Sequence, residues 1–94
     1  MGEMNRQTII DELMRLNKSM TPTQSRVFAD TMLAYMEASR DIAKNGAIVA
    51  HPRTGAPMEN PYTKIMKIAG DGLSKRRILT GDLWDKLDDQ EEGE

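Results

Sequence analysis

The sequence predicts a mainly α-helical fold: three helices, a small β-hairpin between the second and third, and an acidic, disordered C-terminal tail. Three observations lead there. Apolar residues recur at steps of three and four along three stretches, the spacing that lines one face of a helix. A short β-branched run, "AIVA", is followed by the turn-rich "HPRTGAP". Acidic residues crowd the chain after position 82.

The first helix is expected over residues 5–19, where Ile9, Ile10, Leu13, Met14 and Leu16 share a broad face opposite a charged one. "SMTPTQ" then stops one helix and starts the next. Thr21 and Gln24 have the spacing of a capping box, and Pro22 suits the first helical position. The second helix should run from Pro22 to Lys44, roughly 35 Å at 1.5 Å per residue. Phe28, Met32, Tyr35, Met36 and Ile42 form its stripe, and Ala29, Ala34, Ala38 and Ala43 allow close approach. Lys44 favours its negative end, and Gly46 can turn left-handed to close it.

Residues 47–59 read as the hairpin, with Met58 and Glu59 pairing back onto the first arm, and Pro52 and Pro57 limiting further pairing. Asn60 and Pro61 start the third helix, whose stripe is Tyr62, Ile65, Ala69, Leu73 and Arg76, ending near Leu79. Gly70 and Gly72 weaken its middle by about 1 kcal/mol each relative to alanine. "TGDLWDKL" reads as one short amphipathic turn or helix, and acidic tail follows. Residues 1–81 thus form one helical domain, and 82–94 a short apolar turn and tail.

Ninety-four residues suffice for one small domain that buries only about 60–65% of the surface its unfolded chain exposes. Four aromatic residues and eight methionines imply a thin, adaptable core, and a chain that gains stability from a partner or from copies of itself. There is no cysteine, which excludes disulfides and thiolate zinc sites and fits a cytoplasmic protein. No apolar run approaches the roughly 20 residues of a membrane span, and "MGEMNRQTII" lacks the pattern of a signal peptide. The net charge of −2 conceals a polarity: residues 1–81 hold twelve bases and eight acids, net +4, whereas residues 82–94 hold seven acids and one base, net −6.

"HPRTGAPMENPYTKI" is the stretch most suggestive of chemistry. His51, however, has no second histidine or cysteine with which to hold a metal, and no motif sets a nucleophile beside it. A phosphate loop requires clustered glycines opening onto a helix, and Gly55 stands alone before prolines. A hairpin corner accounts for these residues better. The adjacent acids Asp11 and Glu12, or Asp88 and Asp89, do not share a helix face and read as solvated charge. The chain is therefore expected to have no catalytic residue, no metal site and no cofactor.

Nucleic acid is the remaining candidate ligand. Lys64, Lys67, Lys75, Arg76 and Arg77 lie in or near the third helix, with Asp71 the only acid among residues 60–81. Such a cluster can contact phosphates, or it can be the solvated face of an amphipathic helix, and composition alone leaves both readings open. It holds no stacking platform for single strands.

The order "DIAKNG", "AIVAH", "RTGAP", "ENP" and "YTKIMKIAGDGLSKRRILT" resembles the core of the P27-type small terminase subunits of tailed phages, over about two thirds of the chain. The resemblance implies a non-enzymatic protein of the host cytoplasm that oligomerises, recognises duplex viral DNA and presents it to a large terminase subunit. Family members carry a longer, basic, Pro- and Gly-rich N-terminal segment, where residues 5–19 here read as one amphipathic helix. "ILTGDLW" also departs from the usual ending. On this reading Ile9, Leu13, Leu16, Met32 and Met36 are the expected subunit contacts of a homo-oligomer. The alternative is a small phage-derived interaction protein that binds and regulates another protein without binding DNA.

Overall fold

The computed structural model describes residues 5–92, the last three of these by their backbone alone. It is mainly helical with one two-stranded antiparallel hairpin, as the apolar spacing implies. Helix α1 spans Arg6–Leu16, and the Asn5 side chain caps it by accepting from the Thr8 amide at 2.9 Å. Helix α2 spans Pro22–Asn45. Its capping box is complete: the Gln24 amide donates to Thr21 Oγ1 at 3.1 Å, and the Thr21 amide donates to Gln24 Oε1 at 2.9 Å. Gly46 ends it at φ 91°, a conformation that penalises any side chain, with its amide on the Ile42 carbonyl.

Strands β1 (Ile48–Ala50) and β2 (Pro57–Glu59) pair in the register Ile48 with Glu59, Val49 with Met58 and Ala50 with Pro57. Pro57 is thus a member of the ladder rather than its stop, tolerated because each strand of a two-stranded sheet has an open edge. Helix α3 spans Pro61–Ser74 and helix α4 spans Leu83–Glu92. Asn60 joins α2, hairpin and α3. It is 2% exposed, its carbonyl caps α3 through the Tyr62 amide, and its amide group donates to Asp41 Oδ1 and to the Gly46 carbonyl. One short polar side chain therefore fixes how the hairpin enters α3.

The core lies where α1, α2 and α4 meet. Ile9, Ile10 and Leu13 from α1, Phe28, Ala29, Met32 and Met36 from α2, and Leu83 and Leu87 from α4 form one buried cluster. Tyr35 and Trp84 close its edge as a T-shaped ring pair with centroids 5.9 Å apart. Gly70 of α3 lies against the Tyr35 ring, where an added Cβ would come within 3.3 Å of Cε2.

Four expectations change. The segment after residue 81 is helical as far as Glu92, so the described residues hold four helices rather than three. The reason is the spacing of Leu83 and Leu87, which puts both on one face and buries them at 0% and 4% exposure while Asp85, Asp88 and Asp89 are exposed. Residues 93–94 of the expected tail lie outside the described residues. Helix α3 ends at Ser74 rather than near Leu79, with the Lys75 amide on the Asp71 carbonyl, and the chain beyond it is irregular. Ile9, Leu13, Met32 and Met36, expected as subunit contacts, are consumed by the core of a single chain, and Leu16 is half-buried against Gly81. Ile65, expected on the inward stripe of α3, is exposed, and Ala69 is the one fully buried residue of that helix.

Candidate nucleic-acid interface

The early end of α3 divides the five candidate bases into two groups. Lys64 and Lys67 are on the helix, three residues apart and on its outer side. Lys75 is the C-cap, and Arg76 and Arg77 belong to the irregular link that leads to α4. All five are exposed. Among the described residues none of them has an ion-pair partner, in contrast to Arg6 with Asp30 at 2.6 Å, Arg15 with Glu12 at 2.8 Å and Lys86 with Asp82 at 3.6 Å.

The link is held in place by a contact that spans the chain. Asn17, at the end of α1, donates from Nδ2 to the Leu79 carbonyl at 2.8 Å and accepts the Leu79 amide on Oδ1 at 2.8 Å. The same Nδ2 also donates to the Leu13 carbonyl, which anchors the clamp to α1. Ile78, beside Leu79, packs half-buried against the core. Arg76 and Arg77 consequently sit on the wall of a cleft of about 540 Å³ whose opposite wall is the α1–α2 turn and the first turn of α2, including Asn17, Ser19, Thr23 and Gln24. A mobile pair of arginines would lose conformational entropy on meeting a phosphate, and the clamp removes part of that cost beforehand.

Nothing in the sequence pattern singled out Asn17, since an asparagine after a helix reads as an ordinary terminator and its partner is 62 residues away. The signal for the cleft was equally faint, because its two walls come from opposite ends of the chain.

Some of the charge elsewhere on the surface is paired within the chain, while Lys18, Lys44 and Arg53 are exposed without an ion-pair partner among the described residues. The Asp30 carboxyl is held below the usual carboxylate range by its hydrogen bond from Arg6, and Glu12 likewise by Arg15. The Tyr62 hydroxyl donates to Glu37 at 3.0 Å, which raises the phenol above its ordinary value. His51 Nδ1 accepts from the amides of Arg53 and Thr54, at 3.1 and 3.4 Å, and so builds the hairpin tip. Among the described residues no three His, Cys, Asp or Glu side chains converge as metal ligands, and no helix is long and apolar enough to cross a membrane.

A second exposed surface lies between α2 and α3. Val27, Ile65 and Ile68 are 46%, 42% and 67% exposed, and together they edge an apolar groove. No protein-family model, curated protein or solved structure matches the chain.

Proposed function

We propose that this chain is a non-enzymatic, small-terminase-like DNA-packaging subunit that oligomerises and presents duplex viral DNA to a large terminase subunit. The observation that carries the reading is the two groups of exposed bases without ion-pair partners, Lys64 and Lys67 on α3 and Lys75, Arg76 and Arg77 after it, with the link that bears the arginines held by the Asn17–Leu79 clamp beside a cleft. Phosphate contact needs exposed cations that are not already neutralised, and five of them fall within residues 64–77, where Asp71 is the one acid. The order of helix, hairpin and helix, and the sequence resemblance that rests on it, supply the packaging context.

Oligomerisation on this reading has to use surfaces other than the apolar faces of α1 and α2, since those are filled. Light scattering on the purified chain tests it: particles several times heavier than the 10.6 kDa monomer at tens of micromolar are expected, and a strict monomer contradicts the assembly step. Anisotropy of a labelled DNA duplex tests the other step. Wild type should bind at low salt, and Arg76→Ala with Arg77→Ala should weaken binding about tenfold or more.

A second reading is favoured by the apolar groove between α2 and α3: a protein-binding module that acts on a partner without touching DNA. Wild-type chain that fails to bind duplex DNA at low salt would select it.

A further inference from the structure

We propose that the groove between α2 and α3 docks an amphipathic helix of another protein, one that presents aliphatic side chains along a face bordered by carboxylates. The groove measures about 550 Å³. Val27, Ile65 and Ile68 line it together with the small residues Ala34, Ala69 and Gly72. Bulky β-branched side chains beside residues with little or no side chain suit the knobs of an inserted helix. Five large apolar residues are exposed among the described residues, and three of them are here, whereas Ile48 and Leu79 stand apart.

The polar groups of the lining make no demand on a ligand. Thr31 Oγ1 donates to the Val27 carbonyl at 2.8 Å, and Asp30 is already paired with Arg6. The rest of the lining is hydrocarbon and suits an apolar side chain. Specificity has to come from its border, where Asp30 is neutralised by Arg6 and α3 adds two lysines against one acid. Lys64 and Lys67 precede Ile65 and Ile68 on α3, both exposed and without an ion-pair partner, with Asp71 the one acid on that side of the helix. An approaching helix with carboxylates beside its apolar stripe would match them, and one with lysines would be repelled.

A second copy of this chain does not offer that match. Its acidic helix α4 has Leu83 and Leu87 buried beneath the acids, and the apolar face of α1 is buried as well. Its own groove carries the same lysines. The occupant is therefore an unlike chain. The inference shares Lys64 and Lys67 with the DNA reading, and Ile68, which is apolar and lines only the groove, tells the two apart: Ile68→Ser should leave DNA binding unchanged.

The test uses two labelled peptides of about 18 residues, long enough to form a helix on a surface. Both carry leucines at steps of three and four, one with glutamates beside the stripe and the other with lysines in the same places. Binding to the full chain is read by fluorescence polarisation. The glutamate peptide should bind at least about tenfold more tightly than the lysine peptide. Ile68→Ser, at a position 67% exposed, should weaken it about tenfold without lowering the melting temperature. Lys64→Glu with Lys67→Glu should reverse the preference between the peptides. Equal binding of the two peptides, no binding of the glutamate peptide, or indifference to Ile68→Ser overturns the proposal. A chain that sediments as a dimer which Ile68→Ser dissolves overturns it in favour of self-association.

Discussion

Helices α3 and α4 make an instructive pair. Helix α4 has only three apolar residues among ten, Leu83, Trp84 and Leu87, yet both leucines are buried and the tryptophan packs on Tyr35. Helix α3 has the longer apolar inventory, with Tyr62, Ile65, Met66, Ile68, Ala69 and Leu73, yet it fully buries only Ala69. Apolar content therefore does not rank these helices by their contribution to the core. What matters is whether a helix finds a facing surface within the chain. Helix α4 finds the seam of α1 and α2, while part of α3 is left facing outward beside the unpaired lysines. One helix is built into the core, and the other leaves apolar surface exposed.

The largest expected effect breaks the first half of that contrast. Leu83→Ala should destabilise the chain by about 2–5 kcal/mol, read as the shift of a urea unfolding curve, because the leucine is fully buried in a close-packed cluster. A disordered tail would give no shift. Next in size is Asn17→Ala, which removes two exposed hydrogen bonds to Leu79 that water can replace and should cost about 1 kcal/mol. It should also weaken DNA binding although Asn17 carries no charge, since the arginine link is no longer held.

Ile68→Ala should change stability by no more than about 0.5 kcal/mol. The same truncation of an apolar side chain is thus nearly silent on α3 and severe on α4. An Ile68→Ala loss as large as that of Leu83→Ala would show that the groove is closed in solution. The smallest effect concerns acid. Asp30 and Glu12 have lowered pKa values in the folded chain, through Arg6 and Arg15 respectively. Groups of this kind contribute stability above their unfolded pKa of about 4 and lose it as pH falls through the folded value. Melting temperature should fall below about pH 4, and somewhat less steeply in Arg6→Ala. An identical acid profile in that variant would remove the Arg6–Asp30 pair from the account.

Local signals in the sequence were legible, and the structure bears them out. Thr21 with Gln24, Pro22, Gly46, and Asn60 with Pro61 each specify a chain turn from their own chemistry, and each does so in the fold. What escaped reading is long-range. Periodicity shows that Ile9, Leu13, Met32 and Met36 lie on apolar faces, but it does not say whether the facing surface is another helix of the chain or another molecule. Ile65 shows the opposite outcome from the same kind of pattern. The docking of Leu83 and Leu87 was hidden because the acids around them dominate the composition of that segment. The basic residues were legible as a group, and their division at Ser74 was not, because the end of α3 carries no strong stop signal before the chain is drawn to Asn17.

The direct test of the proposed function is the salt dependence of binding to a short DNA duplex. For the wild-type chain the logarithm of the association constant should fall with the logarithm of salt concentration at a slope of about −0.9 per neutralised phosphate. Arg76→Ala with Arg77→Ala should flatten that slope by about 2, and Lys64→Ala with Lys67→Ala should flatten it less, because those lysines border the groove. No binding at low salt, or a slope unchanged when both arginines are removed, would contradict the assignment of the clamped link as the DNA contact.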